Sequence, residues 1–401
     1  MFATLANRRF TAYLLAAASA DTGWWICSIA QGWLVLRLTN SPFWLGAIAA
    51  SAQLPFLLFS LAGGDAADRF DRRALVAIGN AAIAVLALVI AALVATHTIA
   101  IWSLALLVFA IGSIVAIEHP IDRAWVYDLV GGERLGTAIT LSSLEWSVAR
   151  TAGPAIGGLA VAFIGIAPGY VAFALMSIPI VVLALVLGHR GSGGASGDDG
   201  ATAAGDDAAI VPFCVMIATF TIGVAPYISQ LPAIAHHGYG LDARGYGLFA
   251  AAGGIGAITG AVTLAARGEI ARLGRVVPIA AGVGSLLLLA FALTTNALAA
   301  VLLLAAMGFV DTLMYALANT YVQRLASAER RGHANAVFSL AFLGGIPVGN
   351  VGVGALASII GSSHALAVSA IVAAAGCATF WFAAPRSRDA QPCNVAVTGG
   401  G

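Results

Sequence analysis

Apolar stretches follow one another from end to end of this chain, and that feature removes most folds from consideration. Each is about 20 residues long, enough to cross a ~30 Å hydrocarbon core as a helix. Of the 401 residues, 60% are hydrophobic and only 9% are charged, against about 25% charged in a soluble domain. A water-soluble surface cannot be assembled from that supply. In lipid the backbone must satisfy its own hydrogen bonds, which leaves helices or a closed barrel. The runs are rich in Ala, Leu and Gly and lack the apolar–polar alternation of barrel strands. The expectation is an all-α membrane protein.

Twelve spans are expected, near 10–36, 43–64, 74–95, 99–127, 136–164 and 168–188, then 210–234, 244–266, 275–295, 297–324, 332–360 and 363–384. Residues 1–188 form an N-terminal six-helix half and 210–384 a C-terminal one. Between them, 189–209 contains GSGGASGDDGATAAGDD and reads as a flexible linker. Residues 385–401 form a tail. Arg8-Arg9-Phe10 followed by Ala18-Ser19-Ala20 imitates a cleaved signal, but the apolar character continues to Leu36, so a retained first span is expected.

All 19 basic residues are arginine, a composition typical of GC-rich bacterial coding. With the N-terminus in the cytoplasm, 15 of them fall at cytoplasmic ends of spans and only Arg37 and Arg244 outside; Arg123 and Arg150 lie within spans. That bias sets the orientation, with both termini cytoplasmic in a bacterial inner membrane. The halves repeat: Trp125–Leu159 aligns without gaps on Tyr321–Ala355, and the Glu-Arg-x-Gly core at 133–136 recurs at 329–332. Two pseudo-symmetric six-helix halves point to a transporter with its substrate site between them.

Charge is concentrated in GGDAADRFDRR, residues 63–73, between spans 2 and 3. Asp71 is placed to cap the third helix. The run Gly64-x-x-x-Asp68-Arg69-x-x-Arg72-Arg73 resembles the signature loop of the major facilitator superfamily, with Ala66 and Asp71 departing from the usual pattern. In span 5, Gly153-Pro154-Ala155-Ile156-Gly157-Gly158 resembles the motif of that superfamily's drug–proton antiporters. Leu38 to Pro42, Glu118-His119-Pro120 and Arg150 resemble the enterobactin-exporter-like branch. The resemblance implies that Asp68 and the arginines latch the halves in an outward-facing state, with Asp122 or Asp128 as partner. Pro154 removes a backbone hydrogen bond and can bend span 5, and Gly153, Gly157 and Gly158 permit tight packing, expected against the other half; the resemblance implies that this bend seals against leak and marks exporters. It also implies that spans 1, 4, 7 and 10 line the cavity.

Ionisable groups inside a membrane are costly and face a cavity or a partner. Asp311 in span 10 is the first candidate for a proton carrier, and Glu118 in span 4 the second. Glu145 in span 5 could share a proton with Glu118, or Arg150 could neutralise one of them. Asp21 in span 1 could carry a proton or bind a cationic substrate. Trp24, Trp25, Gln31, Tyr227, Gln230, Tyr315 and Asn319 are candidate cavity residues. The four cysteines show no metal-site or disulfide spacing, and His236-His237 reads as a hydrated turn.

No nucleophile–base constellation argues for an enzyme, and no G-x-x-x-x-G-K loop argues for an ATP-driven pump. The expected protein is a monomeric secondary transporter that exports a small amphipathic molecule, a drug or siderophore-like metabolite, by proton antiport. The proton gradient stands in place of a cofactor, and the partners are the small-molecule substrate and the bilayer, without nucleic acid. The alternatives are an importer or symporter on the same fold, and a scaffold or sensor that does not transport.

Overall fold

A computed structural model describes Thr4 and residues 6–187, 207–267, 270, 272–325 and 331–383. The linker to residue 206 and the tail lie outside the described residues. The first half contains α1 (Arg8–Thr39), α2 (Pro42–Arg69), α3 (Arg72–Ala95), α4 (Ile101–Val130), α5 (Leu135–Ile164) and α6 (Ile166–Met176, continued by Ile178–Val186). The second contains α7 (Asp207–Val224, continued by Tyr227–Ala233 and a π turn Ile234–Gly238), α8 (Ala243–Arg267), α9 (Leu273–Leu293), α10 (Ala297–Leu325), α11 (Arg331–Ile360) and α12 (Ser362–Ala383).

Among the described residues, 11 helices, α2 to α12, are long and apolar enough to cross a membrane. The remaining one, α1, has 32 residues and reaches about 48 Å at 1.5 Å per residue. Its Asp21, Thr22, Ser28 and Gln31 lower its hydropathy. It packs against α5 and α6 inside the bundle. The outer surface is apolar, with Ile359 and Phe382 each 80% exposed, as lipid-facing side chains are.

Packing repeats between the halves. The contacts α2–α4, α1–α5 and α3–α6 in the first half recur as α8–α10, α7–α11 and α9–α12 in the second. Between halves, α5 meets α8 and α2 meets α11, which is one contact seen twice under the same shift.

Helix ends follow local chemistry. Asn7 caps α1 by accepting from the amides of Arg9 and Phe10. The expected Asp71 cap is present, accepting from the Arg73 amide. In Leu38–Pro42, Asn40 takes a left-handed conformation that ends α1, and Pro42 opens α2. One expectation needs correction. Span 2 does not stop at 64; the helix runs to Arg69, so the charged loop shrinks to Phe70 and Asp71. Likewise the seventh helix begins at Asp207, inside the expected linker. Two breaks sit where proline disfavours continuation: at Ser177, two residues before Pro179, and at Ala225-Pro226 in α7. His236 and His237 lie in the π turn, and no metal-binding group is found among the described residues. Cys27, Cys214 and Cys377 are free and buried.

The two ends of the bundle differ. At the arginine-poor end the halves are tied together. The ring nitrogen Nε2 of His237 lies 2.9 Å from Asn40 Oδ1, and Gln230 Nε2 donates to the Pro42 carbonyl at 3.0 Å. Arg244 stacks on Phe163 with its guanidinium carbon 3.9 Å from the ring centre. At the arginine-rich end several ties run within the first half. Asn7 donates to the Leu129 carbonyl, Arg73 to the Leu187 carbonyl and Arg72 to Asp128.

Candidate functional site

The glycines of α5 determine how near its neighbours come. Gly153 lies directly against the Trp25 Cβ of α1, and Gly157 against Ile26. A Cβ on Gly158 would sit 2.8 Å from the Cα of Gly247 on α8. The tight packing is therefore split. Gly153 and Gly157 face α1 of the same half, contrary to the expectation for the whole motif, and Gly158 faces the other half. Pro154 lies inside the continuous helix α5.

This close approach brings α1, α5, α7, α8 and α10 around a cavity of about 40 Å³, lined by Trp25, Ser28, Arg150, Tyr227, Tyr246 and Leu304 among others. That volume holds about one or two water molecules. The Arg150 guanidinium carbon lies 5.8 Å from the Trp25 ring centre, and the guanidinium is within electrostatic reach of the Tyr227 hydroxyl across the half interface. Asp311 is within electrostatic reach of both Arg150 and Tyr227. Its Oδ1 is buried without a hydrogen-bond partner, as is Trp25 Nε1. Asp311 thus has a cation near it that its own helix does not supply.

A second set of carboxyls lies within the first half. Asp21 on α1 and Glu145 on α5 are within hydrogen-bonding reach of each other. Asp122 on α4 accepts from the Tyr13 hydroxyl at 2.6 Å. Glu118 accepts from Asn80 Nδ2 and lies against Gly79, so it faces α3. Glu118 therefore does not face the central cavity, α4 does not line that cavity, and Glu145 pairs with Asp21 in place of Glu118. Arg150 lies over Trp25 and within electrostatic reach of Tyr227 and Asp311.

The latch residues also resolve. Arg72 Nη1 bonds both oxygens of Asp128 at 3.0 Å each. Asp128 is the partner and Asp122 is not, and this bridge joins α3 to α4 within one half. Arg69 is exposed. For Gly64 and Asp68 only the helical backbone is described. An open hollow of about 310 Å³ lies beside this bridge, between Asn7, Arg8 and Arg9 of one wall and Asp128 and Leu129 of the other.

Of the other cavity candidates, only Trp25 and Tyr227 line the central space. Trp24 packs edge-on to Phe173 of α6. Gln230 is fully buried at the closed end, where it also accepts from Ser362. Gln31 is half-buried outside the lining. Tyr315 packs on Phe338 and Phe342 of α11, and Asn319 accepts from Gln323. Sequence reasoning missed Ser28, Tyr246 and Asn80. Ser28 carries a usable signal, because Asp21, Trp25 and Ser28 fall at i, i+4 and i+7 on one face of α1.

Residues 1–396 match the family described as "Transmembrane secretion effector". The Staphyloferrin A transporter of Staphylococcus aureus is 28% identical over 167 residues, which cover 41% of this chain and 42% of that protein. Among solved structures, a bacterial homologue of the human lysosomal transporter Spinster, in an inward-facing and occupied conformation, aligns with TM-score 0.71 at 14% identity over 93% of this chain and 96% of that one. The nucleoside transporter NupG aligns with TM-score 0.73 at 13% identity over 93% and 98%. At such identities the structural likeness speaks for the fold.

Proposed function

The chain belongs to the transmembrane secretion effector family of major facilitator transporters, and from that membership we propose that it exports small amphipathic molecules from the bacterial cytoplasm in exchange for protons. The partial likeness to a siderophore transporter makes siderophore-like metabolites the first class to try. The positive-inside bias puts the arginine-rich end in the cytoplasm of the inner membrane. The end at which the halves are tied then faces outward, and the shape is an inward-facing one.

The Asp21–Glu145 pair carries the exchange reading. Two carboxyl groups hydrogen-bond to each other only when a proton lies between them, because a carboxylate can only accept. A proton shared in this way would clasp α1 to α5. Trp25 is one turn beyond Asp21, and Arg150 lies five residues beyond Glu145 on the same helix; both line the central cavity. Loss of the proton sets two negative charges against each other, parts α1 from α5 and widens a space that holds little in the clasped form. Proton and substrate then favour opposite forms, which is the requirement for antiport. Asp311, the leading sequence candidate, becomes the resident counter-charge of Arg150.

The test is substrate-induced proton release from acidified everted vesicles, across a panel of dyes, antibiotics and siderophores. The native protein should respond. Asp21→Asn and Glu145→Gln keep a hydrogen bond between α1 and α5 without a shared proton, and should abolish the response at unchanged expression. A response kept in both variants moves coupling to Asp311. Proton movement in the opposite sense supports symport, and silence across the panel contradicts export of these classes.

A further inference from the structure

The unmatched polar groups around the central cavity indicate what kind of group it receives. Trp25 Nε1 is a donor only, is buried and has no acceptor. Arg150 presents five N–H donors in a fixed fork, lying over the Trp25 ring and within electrostatic reach of Tyr227. The place a ligand cation would take on that ring is therefore filled by the protein's own cation. Asp311 stands within electrostatic reach without closing on Arg150. Arg150 and Trp25 thus both line the cavity, and the indole N–H has no acceptor there. The space of about 40 Å³ suits a head group, and not a whole ligand.

We propose that Arg150, Trp25 Nε1 and Tyr227 form a carboxylate-binding site for the anionic head group of the transported molecule. This rests on the reading of the chain as a transporter and is independent of the direction of transport. A planar carboxylate matches the guanidinium fork with two parallel hydrogen bonds. The indole N–H that now lacks an acceptor is the further donor such a carboxylate would use. When the ligand leaves, Asp311 keeps Arg150 from being an uncompensated charge in the membrane interior. The aromatic walls, Trp25 and Tyr227, favour an acid whose carboxylate is joined to a ring.

The experiment is titration calorimetry on the purified full-length protein in lipid nanodiscs, with three probes: benzoate, succinate and benzyltrimethylammonium. Benzoate should bind the native protein more tightly than the other two. Arg150→Gln should weaken benzoate by about tenfold or more, as expected for loss of a charge-assisted bidentate contact. Arg150→Lys, which keeps the charge but not the fork, should fall between them. Trp25→Phe keeps a ring and removes the N–H, and should weaken benzoate several-fold. Benzyltrimethylammonium should gain on Arg150→Gln. The inference is overturned if benzoate fails to bind, if the cation binds the native protein better than benzoate, or if Arg150→Gln leaves benzoate affinity unchanged in protein that elutes and melts like the native form. Asp21→Asn separates this from the exchange reading. Benzoate binding retained with proton release lost in that variant supports both, whereas proton release by the native protein with no benzoate binding rejects the carboxylate site alone.

Discussion

At Gly158 and Gly247 two helices meet backbone to backbone, and nothing there can move aside for a methyl group. A Cβ on Gly247 would sit 2.7 Å from the Pro154 carbonyl oxygen and equally close to the Gly158 Cα. Gly282 on α9 has the opposite surroundings, with no atom within 4 Å of an added Cβ. Gly→Ala gains about 1 kcal/mol of helix propensity, while overpacking costs about 1–3 kcal/mol. The sign should therefore differ between the two positions. Gly158→Ala should lower the unfolding temperature and loosen the α5–α8 seam, and Gly282→Ala should raise it; thermal unfolding of both in nanodiscs checks this. The α5 motif was legible in the sequence as a place of close packing. Its division between α1 and α8 was not, because spacing along a helix gives angles and not neighbours. Arg150 and Asp311 follow the same logic. Each stood out as a charge inside the membrane, but their approach depends on how two distant helices rotate towards a shared interface.

Helix by helix, the element scale was the most legible. Long apolar runs must become spans, and caps such as Asp71 and turns such as Asn40–Pro42 are local. The errors arose where a helix runs on through polar sequence. α2 continues through Gly64–Arg69 although that stretch is charged, and a hydropathy profile registers only where the apolar run stops. The Arg72–Asp128 bridge is the tie to test. Arg72's side chain is 9% exposed and Asp128's 35%, so part of the pair's Coulomb energy is lost to solvent screening. A double-mutant cycle with Arg72→Gln and Asp128→Asn should give a coupling on the order of 1 kcal/mol. Arg72→Gln alone should be the milder change in salt sensitivity, because it leaves the more solvated partner behind. A coupling near zero would mean that the bridge, though it reaches both carboxylate oxygens, does not hold α3 to α4.

For the whole molecule, duplication and charge bias were readable because each is a global count, whereas the conformational state was not. Which end is closed depends on weak contacts such as His237 with Asn40 and Arg244 with Phe163, and a sequence serves both states equally. The proposed cargo and the proposed exchange can be joined by their electrical consequence. A carboxylate leaving the cytoplasm and a proton entering it both carry positive charge inward. An inside-negative membrane potential drives each of them. One elementary charge moving through 100 mV is worth about 2.3 kcal/mol, so a one-for-one exchange gains about 4.6 kcal/mol. Electroneutral exchange of a proton for a cation would gain nothing from the potential. Proteoliposomes offer a direct measurement, with a potassium diffusion potential set by valinomycin at equal pH on both sides. Transport of an aromatic acid should accelerate when the potential is imposed in the driving sense and slow when it is reversed, and Arg150→Gln should remove the effect along with the transport. If the rate ignores the potential while still following a pH gradient, the process carries no net charge, and either the anionic cargo or the exchange against protons must be abandoned.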